Sequence, residues 1–268
     1  MGELLRDWRQ RRRMSQLDLS VEAEVSTRHL SFVETGRSRP SRELVLHLAE
    51  HLDVPLRERN LLLHAGGYAP VFSERPLDAA DLAPVRTALD TILAGHEPFP
   101  AIVVDRHHQL VTANRTATHL FTSRLPASFL EPPVNVLRAT LHPDGLARDI
   151  VNLAELSGHL LAQLDREIAD SADPGLQALA DELRTYPGVV DLGRQPPAAQ
   201  LFVPFALRSD SGDLRFFSTI ATFGTALDVT VAELSIESFF PADEATAAAL
   251  RSSETVIDRA GPPARWGG

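Results

Sequence analysis

The chain has 268 residues, of which 44% are hydrophobic and 23% are charged, with 26 Lys and Arg residues against 36 Asp and Glu residues. This hydrophobic fraction is enough for a packed core and excludes a chain that is disordered throughout. The absence of cysteine excludes disulfides, thiolate metal sites and cysteine nucleophiles. No stretch resembles a signal peptide or a membrane span, so we expect a cytosolic protein without a membrane partner.

The net charge of −10 argues against a nucleic-acid partner only when it is taken for the whole chain. Up to Gly66 the chain holds eleven arginines and ten acidic residues, a net charge of +1. The remaining fifteen arginines and twenty-six acidic residues give −11. This asymmetry predicts two domains with different partners.

Residues 1–66 carry the start and stop signals of five short helices. Leu4, Leu5 and Trp8 have helical spacing, and Ser15, Ser26 and Ser41 each precede a run with the polarity of a helix start. Pro55 suits the first turn of the fifth helix, which is expected to end near Gly66-Gly67. The short connection between the second and third helices predicts an all-α domain with a helix-turn-helix.

Three segments carry a resemblance to a known family: Met14-Ser-Gln-Leu-Asp-Leu, Val25-Ser-Thr-Arg-His-Leu-Ser-Phe-Val-Glu-Thr-Gly36-Arg and Arg39-Pro-Ser. Residues 3–65 resemble the phage-repressor-like (XRE) helix-turn-helix family. The resemblance implies binding to double-stranded operator DNA as a homodimer, and a salt bridge between Arg9 and Glu34. It implies base contacts by Thr27, Arg28, Ser31 and Phe32, and phosphate contacts by Gln16, Arg37 and Arg39.

Three features of this domain leave alternatives open. Glu24 stands where the family's turn usually has glycine, so we expect a non-glycine residue at positive φ. Phe32 stands at a normally polar position and is expected either to touch thymine methyl groups or to pack against the second domain or a dimer partner. The run Arg11–Arg13 either contacts phosphate or is a solvated helix end.

Beyond Gly66, prolines and small residues predict a connector over 67–81, followed by a domain over 82–252 and a flexible tail over 253–268 that includes Trp266. A helix over 82–93 precedes a predicted hairpin of strands at 101–105 and 109–113. Asn114 then caps a helix through Phe121, and 134–185 is helical, with breaks at 143–145 and 173–175. Strands at 201–207, 214–223 and 229–238 complete an α+β domain with an antiparallel sheet.

This element order resembles a PAS-type sensor fold. Four segments resemble the ligand-binding domain of MmyB-like transcription regulators: Ile102–Asn114, Asn135–Leu146, Thr222–Leu234 and Phe239–Asp243. The resemblance implies a PAS-like pocket that binds a small amphipathic ligand, with a long-chain fatty acid as the family's precedent.

A fatty acid needs an apolar lining and one polar anchor for its carboxylate. The apolar candidates are Val103, Leu110, Phe202, Phe217, Ile220 and Phe223. Arg138 lies in an apolar stretch and is expected to pair either with the ligand carboxylate or with Asp144, Asp149 or Glu233. Asn114 is expected to be a helix cap rather than a ligand contact, and His142 a turn residue rather than an anchor.

No motif supports an enzyme. The pair His107-His108 and the segment His142–Asp144 are the only suggestive clusters, and neither has the partners of a metal site or a catalytic triad. We therefore expect no catalytic residue, no metal and no cofactor other than a bound amphipathic ligand. The sequence predicts a ligand-modulated DNA-binding regulator. The alternative is a DNA-binding regulator whose second domain only dimerises or binds a partner protein, and a more distant one is an enzyme fused to a helix-turn-helix.

Overall fold

The structure is a computed structural model, and it describes residues 1–191, 193, 203–209 and 212–257, with the side chains only up to residue 252. The chain divides into two compact units. The helical unit comprises Met1–Pro76, Ala169–Ser171 and Thr225–Ala232. The sheet unit comprises the rest, beginning at Leu77. The division between Pro76 and Leu77 falls within the predicted connector 67–81.

The helical unit contains α1 (Gly2–Arg11), α2 (Gln16–Glu22), α3 (Thr27–Glu34), α4 (Arg42–His51) and α5 (Leu56–Ala65). The hydroxyls of Ser15, Ser26 and Ser41 accept hydrogen bonds from the first-turn N–H groups of α2, α3 and α4. These caps satisfy donors that lack a partner within the helix, which is why the helices begin where the sequence predicted.

One apolar core holds the five helices together. It is built from buried side chains of every helix, among them Leu5, Leu19, Leu30, Leu48 and Leu62. The end of α3 approaches α1 so closely that a Cβ atom on Gly2 would lie 2.4 Å from the carbonyl oxygen of Val33. In the turn between α2 and α3, Glu24 has φ +50°, which confirms the expected positive φ.

The segment after α5 belongs to the helical unit. The Asn60 side chain accepts from the N–H groups of Val71 and Phe72 and donates to the Phe72 carbonyl. A short helix, α11 (Val229–Ala232), contacts α5 in the same unit. The Val229 N–H donates to the Ser73 carbonyl at 2.7 Å, and the Thr230 hydroxyl donates to the Arg75 carbonyl at 2.6 Å.

Within the described residues, the sheet unit has five antiparallel strands in the order β2-β1-β5-β4-β3. They are β1 (Ala101–Val104), β2 (Leu110–Ala113), β3 (Phe205–Leu207), β4 (Leu214–Thr222) and β5 (Ser235–Pro241). The helices are α6 (Ala83–Gly95), α7 (Arg115–Thr122), α8 (Val136–Leu141), α9 (Leu153–Ser171), α10 (Pro174–Leu183) and α12 (Glu244–Ile257). The two-domain prediction, with an α+β antiparallel-sheet second domain, is confirmed.

The strand register separates two faces of the sheet. Val103 pairs with Ile236, which pairs with Ala221, and this face packs against Leu89 and Leu93 of α6. We call it the α6 face. The adjacent residues of these three strands lie on the opposite face: Ile102 pairs with Glu237, which pairs with Ile220. On this face α7 contributes Ala117 to the core. We call this the α7 face.

One strand prediction of the sequence needs correction. The predicted strand 229–238 is wrong over its first part, because the Asp228 carboxylate accepts from the Thr230 N–H and Val229–Ala232 form α11. The strand begins only at Ser235 and continues to Pro241. The helix α12 continues to Ile257. Trp266 and the rest of the predicted tail lie outside the described residues.

Candidate DNA interface and candidate ligand site

The helix after the turn, α3, carries the four residues that the sequence assigned to base edges. Thr27 and Arg28 are exposed, whereas Ser31 and Phe32 are half-buried. The Arg28 guanidinium lies over the Phe32 ring at 5.3 Å from its centroid. A cation over an aromatic face is held electrostatically, so Phe32 supports the Arg28 side chain.

Thr27 makes a contact that the sequence gave no means to predict. The Ser20 hydroxyl donates to the Leu17 carbonyl at 2.8 Å and also lies 2.8 Å from the Thr27 hydroxyl. A serine hydroxyl has one proton, so Thr27 is the donor in the second contact. Thr27 therefore keeps lone pairs to accept a hydrogen bond, but its proton is already used.

A buried ion pair links α1 to α3. The Arg9 Nε donates to Glu34 Oε1 at 2.7 Å, and its Nη2 donates to Glu34 Oε2 at 2.9 Å. The side chain of Glu34 is 0% exposed and that of Arg9 is 9% exposed. Burial acts to raise the pKa of the Glu34 carboxyl, but hydrogen bonds from Arg9 and Gln16 outweigh it and hold this pKa below its ordinary value. The pairing of Arg9 with Glu34 is confirmed.

The three residues assigned to phosphates differ in how they are held. The Gln16 amide donates to Glu34 Oε2 at 2.7 Å, so its side chain is fixed by the buried pair. The Arg39 Nη2 donates to the Gly66 carbonyl at 3.0 Å, and its guanidinium lies over the Tyr68 ring. Arg37 is exposed and makes no ion pair among the residues that the structure describes.

The basic run at the end of α1 is partly committed to the fold. The Arg12 guanidinium donates to the carbonyls of Leu52 and Asp53 at the end of α4 and lies over the Trp8 ring. A cation here also interacts favourably with the negative end of the α4 dipole. Arg11 and Arg13 remain exposed.

In the sheet unit, Arg138 has an internal partner. Its Nε and Nη2 donate to the Glu182 carboxylate of α10, at 2.8 Å and 2.7 Å to the nearest oxygens. The partner is therefore none of the three acids expected from the sequence, because α8 and α10 meet through residues distant in the chain. Tyr186 donates to the same carboxylate. Burial, with help from Glu182, raises the pKa of Tyr186 to about 12.

Asn114 and His142 have the structural roles that the sequence favoured. Asn114 is 3% exposed, and its Oδ1 accepts from the N–H groups of Ala117 and Ala101. It is thus the cap of α7 and a link to β1. His142 follows α8, accepts from the Asp144 N–H through Nδ1, and packs its ring against Phe129 and Tyr186.

The apolar candidates for a ligand lining do not lie together. Phe217 and Phe223 are on the α6 face, as is Val103. Leu110 packs in the core of the α7 face, and Ile220 also belongs to that face. Residues with odd spacing along a strand point to opposite sides, which separates Phe217 from Ile220. Phe202 lies outside the described residues.

The histidine pair of the hairpin is bound by acids from the helices. His107 Nε2 lies 3.0 Å from Asp173 Oδ2, and His108 Nε2 lies 2.7 Å from Glu167 Oε2. No group of three or more side chains among the described residues could hold a metal ion. In the same part of the chain, no helix is long and apolar enough to cross a membrane.

Comparison with known families accounts for most of the chain. Residues 85–252 match the MmyB-like transcription regulator ligand binding domain. The chain belongs to this family of MmyB-like transcription regulators. Residues 1–62 match a helix-turn-helix domain. These two matches cover most of the sheet unit and of the five helices, and both describe parts of transcription regulators rather than enzymes. No curated protein in the comparison matches the chain significantly.

Proposed function

We propose that this MmyB-like regulator binds double-stranded operator DNA as a homodimer through its helical unit, and that a small amphipathic ligand in its sheet unit changes its affinity for DNA. A long-chain fatty acid is the ligand that the family resemblance offers first. Because its target is DNA, the regulator acts in the cytoplasm.

The exposed arginines of the helical unit support the DNA part of this proposal. This unit is close to neutral overall, so its affinity must come from a local basic surface formed by Arg28, Arg37 and Arg39. Two such surfaces, one in each protomer, would bind half-sites about one helical turn apart. A dimer thereby doubles the number of phosphate contacts that a single small domain can make.

The path of the chain is the observation that carries the ligand-modulation part. The strands β4 and β5 belong to the sheet unit, but the segment that joins them, Thr225–Ala232, belongs to the helical unit. Its hydrogen bonds to Ser73 and Arg75 fix it there. A ligand that shifts β4 against β5 would therefore act directly on a segment of the helical unit, through which it could change the population of DNA-binding conformations.

The test is a DNA titration with and without ligand. Native mass spectrometry and solvent extraction of the purified protein first identify any bound acyl chain. A duplex selected from a random pool is then titrated with and without added hexadecanoic acid, and we expect its affinity to differ between the two conditions. If no bound compound is extracted and no added compound changes the affinity for DNA, the ligand part of the proposal is contradicted.

A matched pair of variants tests the path. Thr230→Val removes the hydrogen bond to the Arg75 carbonyl, whereas Thr91→Val removes a comparable bond from a threonine to the backbone within α6. We expect Thr230→Val to bind both ligand and DNA, but with a smaller effect of ligand on DNA affinity. Thr91→Val should behave like the unchanged protein, and an equal loss in both variants would contradict this route.

A further inference from the structure

One carboxyl group on the α7 face has no role in the contacts described so far. Glu237 of β5 lies between Ile102 of β1 and Ile220 of β4 in the strand register. Ser218 of β4 donates a hydrogen bond to its carboxyl group. Glu237 therefore lies near the middle of the sheet, in a row that is otherwise apolar.

The surface around Glu237 is open, although it is at the centre of a sheet. On β4, Ser218 and Thr222 are exposed, and Ile220 is 51% exposed. On β5, Ser235 and Glu237 are half-buried. We call these five residues the open strip. On the neighbouring strand β1, Ile102 and Val104 of the same face are packed into the core. The strip therefore combines apolar and hydroxyl groups and remains accessible from outside the packed core.

The charged groups around Glu237 compensate only part of the cost of burying its carboxylate. The charged groups that act on it are His108 and Glu167, which are bound to each other at 2.7 Å. Glu167 repels the Glu237 carboxylate, and the His108 ring is already paired. Burial raises the pKa of the Glu237 carboxyl, the hydrogen bond from Ser218 and the attraction of His108 offset this shift only in part, and Glu167 adds to it. A carboxyl group whose desolvation is offset only in part favours any partner that brings a hydrogen-bond donor or a positive charge.

A ligand carboxylate is the wrong partner for this position. Two adjacent carboxylates disfavour each other's ionisation, so an anionic head group would be repelled by Glu237 or would have to share its proton. The cation expected to receive a carboxylate, Arg138, already donates to both oxygens of Glu182. A hydroxyl or ammonium group, by contrast, would donate to Glu237 while the rest of the molecule covers Ile220.

We propose that Glu237 and Ser218 form the polar end of the ligand site, and that the ligand is an apolar molecule with a hydroxyl or amino head group. This inference rests on the proposed function, since it requires a small ligand in the sheet unit. It makes Glu237 the residue that selects the head group. It also predicts that a fatty acid is the weakest member of a series in which only the head group changes.

The experiment measures head-group preference in the full chain at neutral pH. Dodecanoic acid, dodecanol and dodecylamine are titrated below their micelle concentrations by calorimetry. Because a hydrogen bond to a charged group is worth about 1.5–3 kcal/mol, we expect the amine to bind roughly tenfold to a hundredfold more tightly than the acid. Dodecanol should lie between the two.

Two variants assign the preference to Glu237. Glu237→Gln keeps the shape and an acceptor but removes the charge, so the ratio of amine to acid affinity should fall by roughly tenfold or more. Glu244→Gln removes an equal charge from the exposed pair with Arg251 and should leave the ratio unchanged. The ranking in the unchanged protein is itself informative if a variant does not fold.

The outcomes separate this inference from the proposed function. If the acid binds most tightly and Glu237→Gln leaves the ranking intact, the inference is overturned, while a ligand-responsive regulator stands. If none of the three compounds binds, the inference is also overturned, and the DNA titration with extracted compounds decides the proposed function separately. A preference that collapses equally in Glu244→Gln would show a general charge effect and would overturn the role of Glu237.

Discussion

Glu34 in the helical unit and Glu237 in the sheet unit are the same residue type in opposite environments. Glu34 is completely buried, yet Arg9 and Gln16 lower its pKa. Glu237 keeps some accessible surface, yet its pKa is raised because burial outweighs the hydrogen bond from Ser218 and the attraction of His108. A buried charge that its partners in the fold fully compensate is structural, whereas one that is compensated only in part marks a surface that can accept a further partner.

The arginines show the opposite contrast to the glutamates, because here it is the helical unit that leaves charges without an ion pair among the described residues. In the sheet unit, Arg138 and Arg184 are bound by acids of the same unit. In the helical unit, Arg28 and Arg37 are exposed and make no ion pair among the described residues. The helical unit thus neutralises its interior and leaves cations outside, which suits an external polyanion.

The largest effect is expected from a variant that removes the main partner of the buried Glu34 carboxylate in the helical unit. Arg9→Ala would leave Glu34 buried without its main partner and should lower the free energy of unfolding by about 3–5 kcal/mol. Arg6→Ala removes a longer contact of 3.7 Å from a side chain that is 45% exposed, and it should cost less than about 1 kcal/mol.

Guanidinium denaturation followed by the fluorescence of Trp8 measures both values. Trp266→Phe removes the second of the two tryptophans in the chain, so that the signal reports the helical unit. Equal losses in Arg6→Ala and Arg9→Ala would show that Glu34 does not depend on one buried partner.

The next effect concerns the exposed arginines. Arg28→Ala should weaken the selected duplex by about 1–3 kcal/mol and relax the base preference. Arg37→Ala should weaken all duplexes alike and reduce the salt slope of binding by about 0.9. Arg251→Ala, which removes an arginine that pairs with Glu244 in the sheet unit, should change neither quantity. Salt-dependent titrations on selected and scrambled duplexes separate the three results. Unchanged discrimination in Arg28→Ala would contradict the assigned position of α3.

The smallest effect sharpens the contrast between the two glutamates through pH. The folded-state pKa of Glu34 is lowered, so its stabilisation is complete above the unfolded pKa and is lost as pH falls through the folded pKa. The folded-state pKa of Glu237 is raised, so its stabilisation is complete below the unfolded pKa and is lost as pH rises through the folded pKa. Each pKa unit of difference between the folded and the unfolded state is worth about 1.4 kcal/mol of stability.

Glu34→Gln should therefore flatten the acid side of the stability profile, and Glu237→Gln the side towards neutral pH. Hydrogen exchange of the amides of α3 and of β5 follows the two units separately. If the slope of stability against pH changed in the same direction in both variants, the contrast between Glu34 and Glu237 would be refuted.

The sequence predicted best what depends on neighbouring residues. Ser15, Ser26 and Asn114 cap helices a few residues away, so their roles could be derived from local order alone. The partner of Arg138 could not, because Glu182 is 44 positions away and meets it only after two helices pack. The face of each phenylalanine depends on strand register, which the predicted strand bounds left open.

Glu237 was missed for the same kind of reason. A strand predicted at 229–238 gave no register with β4, and an acid near its end was indistinguishable from a solvated residue. The available signal was a single carboxylate between Ile236 and Phe239-Phe240 in a stretch otherwise free of charge. Its meaning depends on Ile102 and Ile220, which become its neighbours only when the sheet forms.

If Thr27 contacts a base edge, as the family resemblance implies, its hydrogen bond to Ser20 restricts the bases that it can recognise. Because the proton of Thr27 is used inside the protein, a base edge that meets this hydroxyl must offer an amino group, as adenine and cytosine do in the major groove. The acceptor edges of guanine and thymine find no donor there. Base selection at that position would then depend on Ser20, and Ser20→Ala would relax it by returning the proton to Thr27.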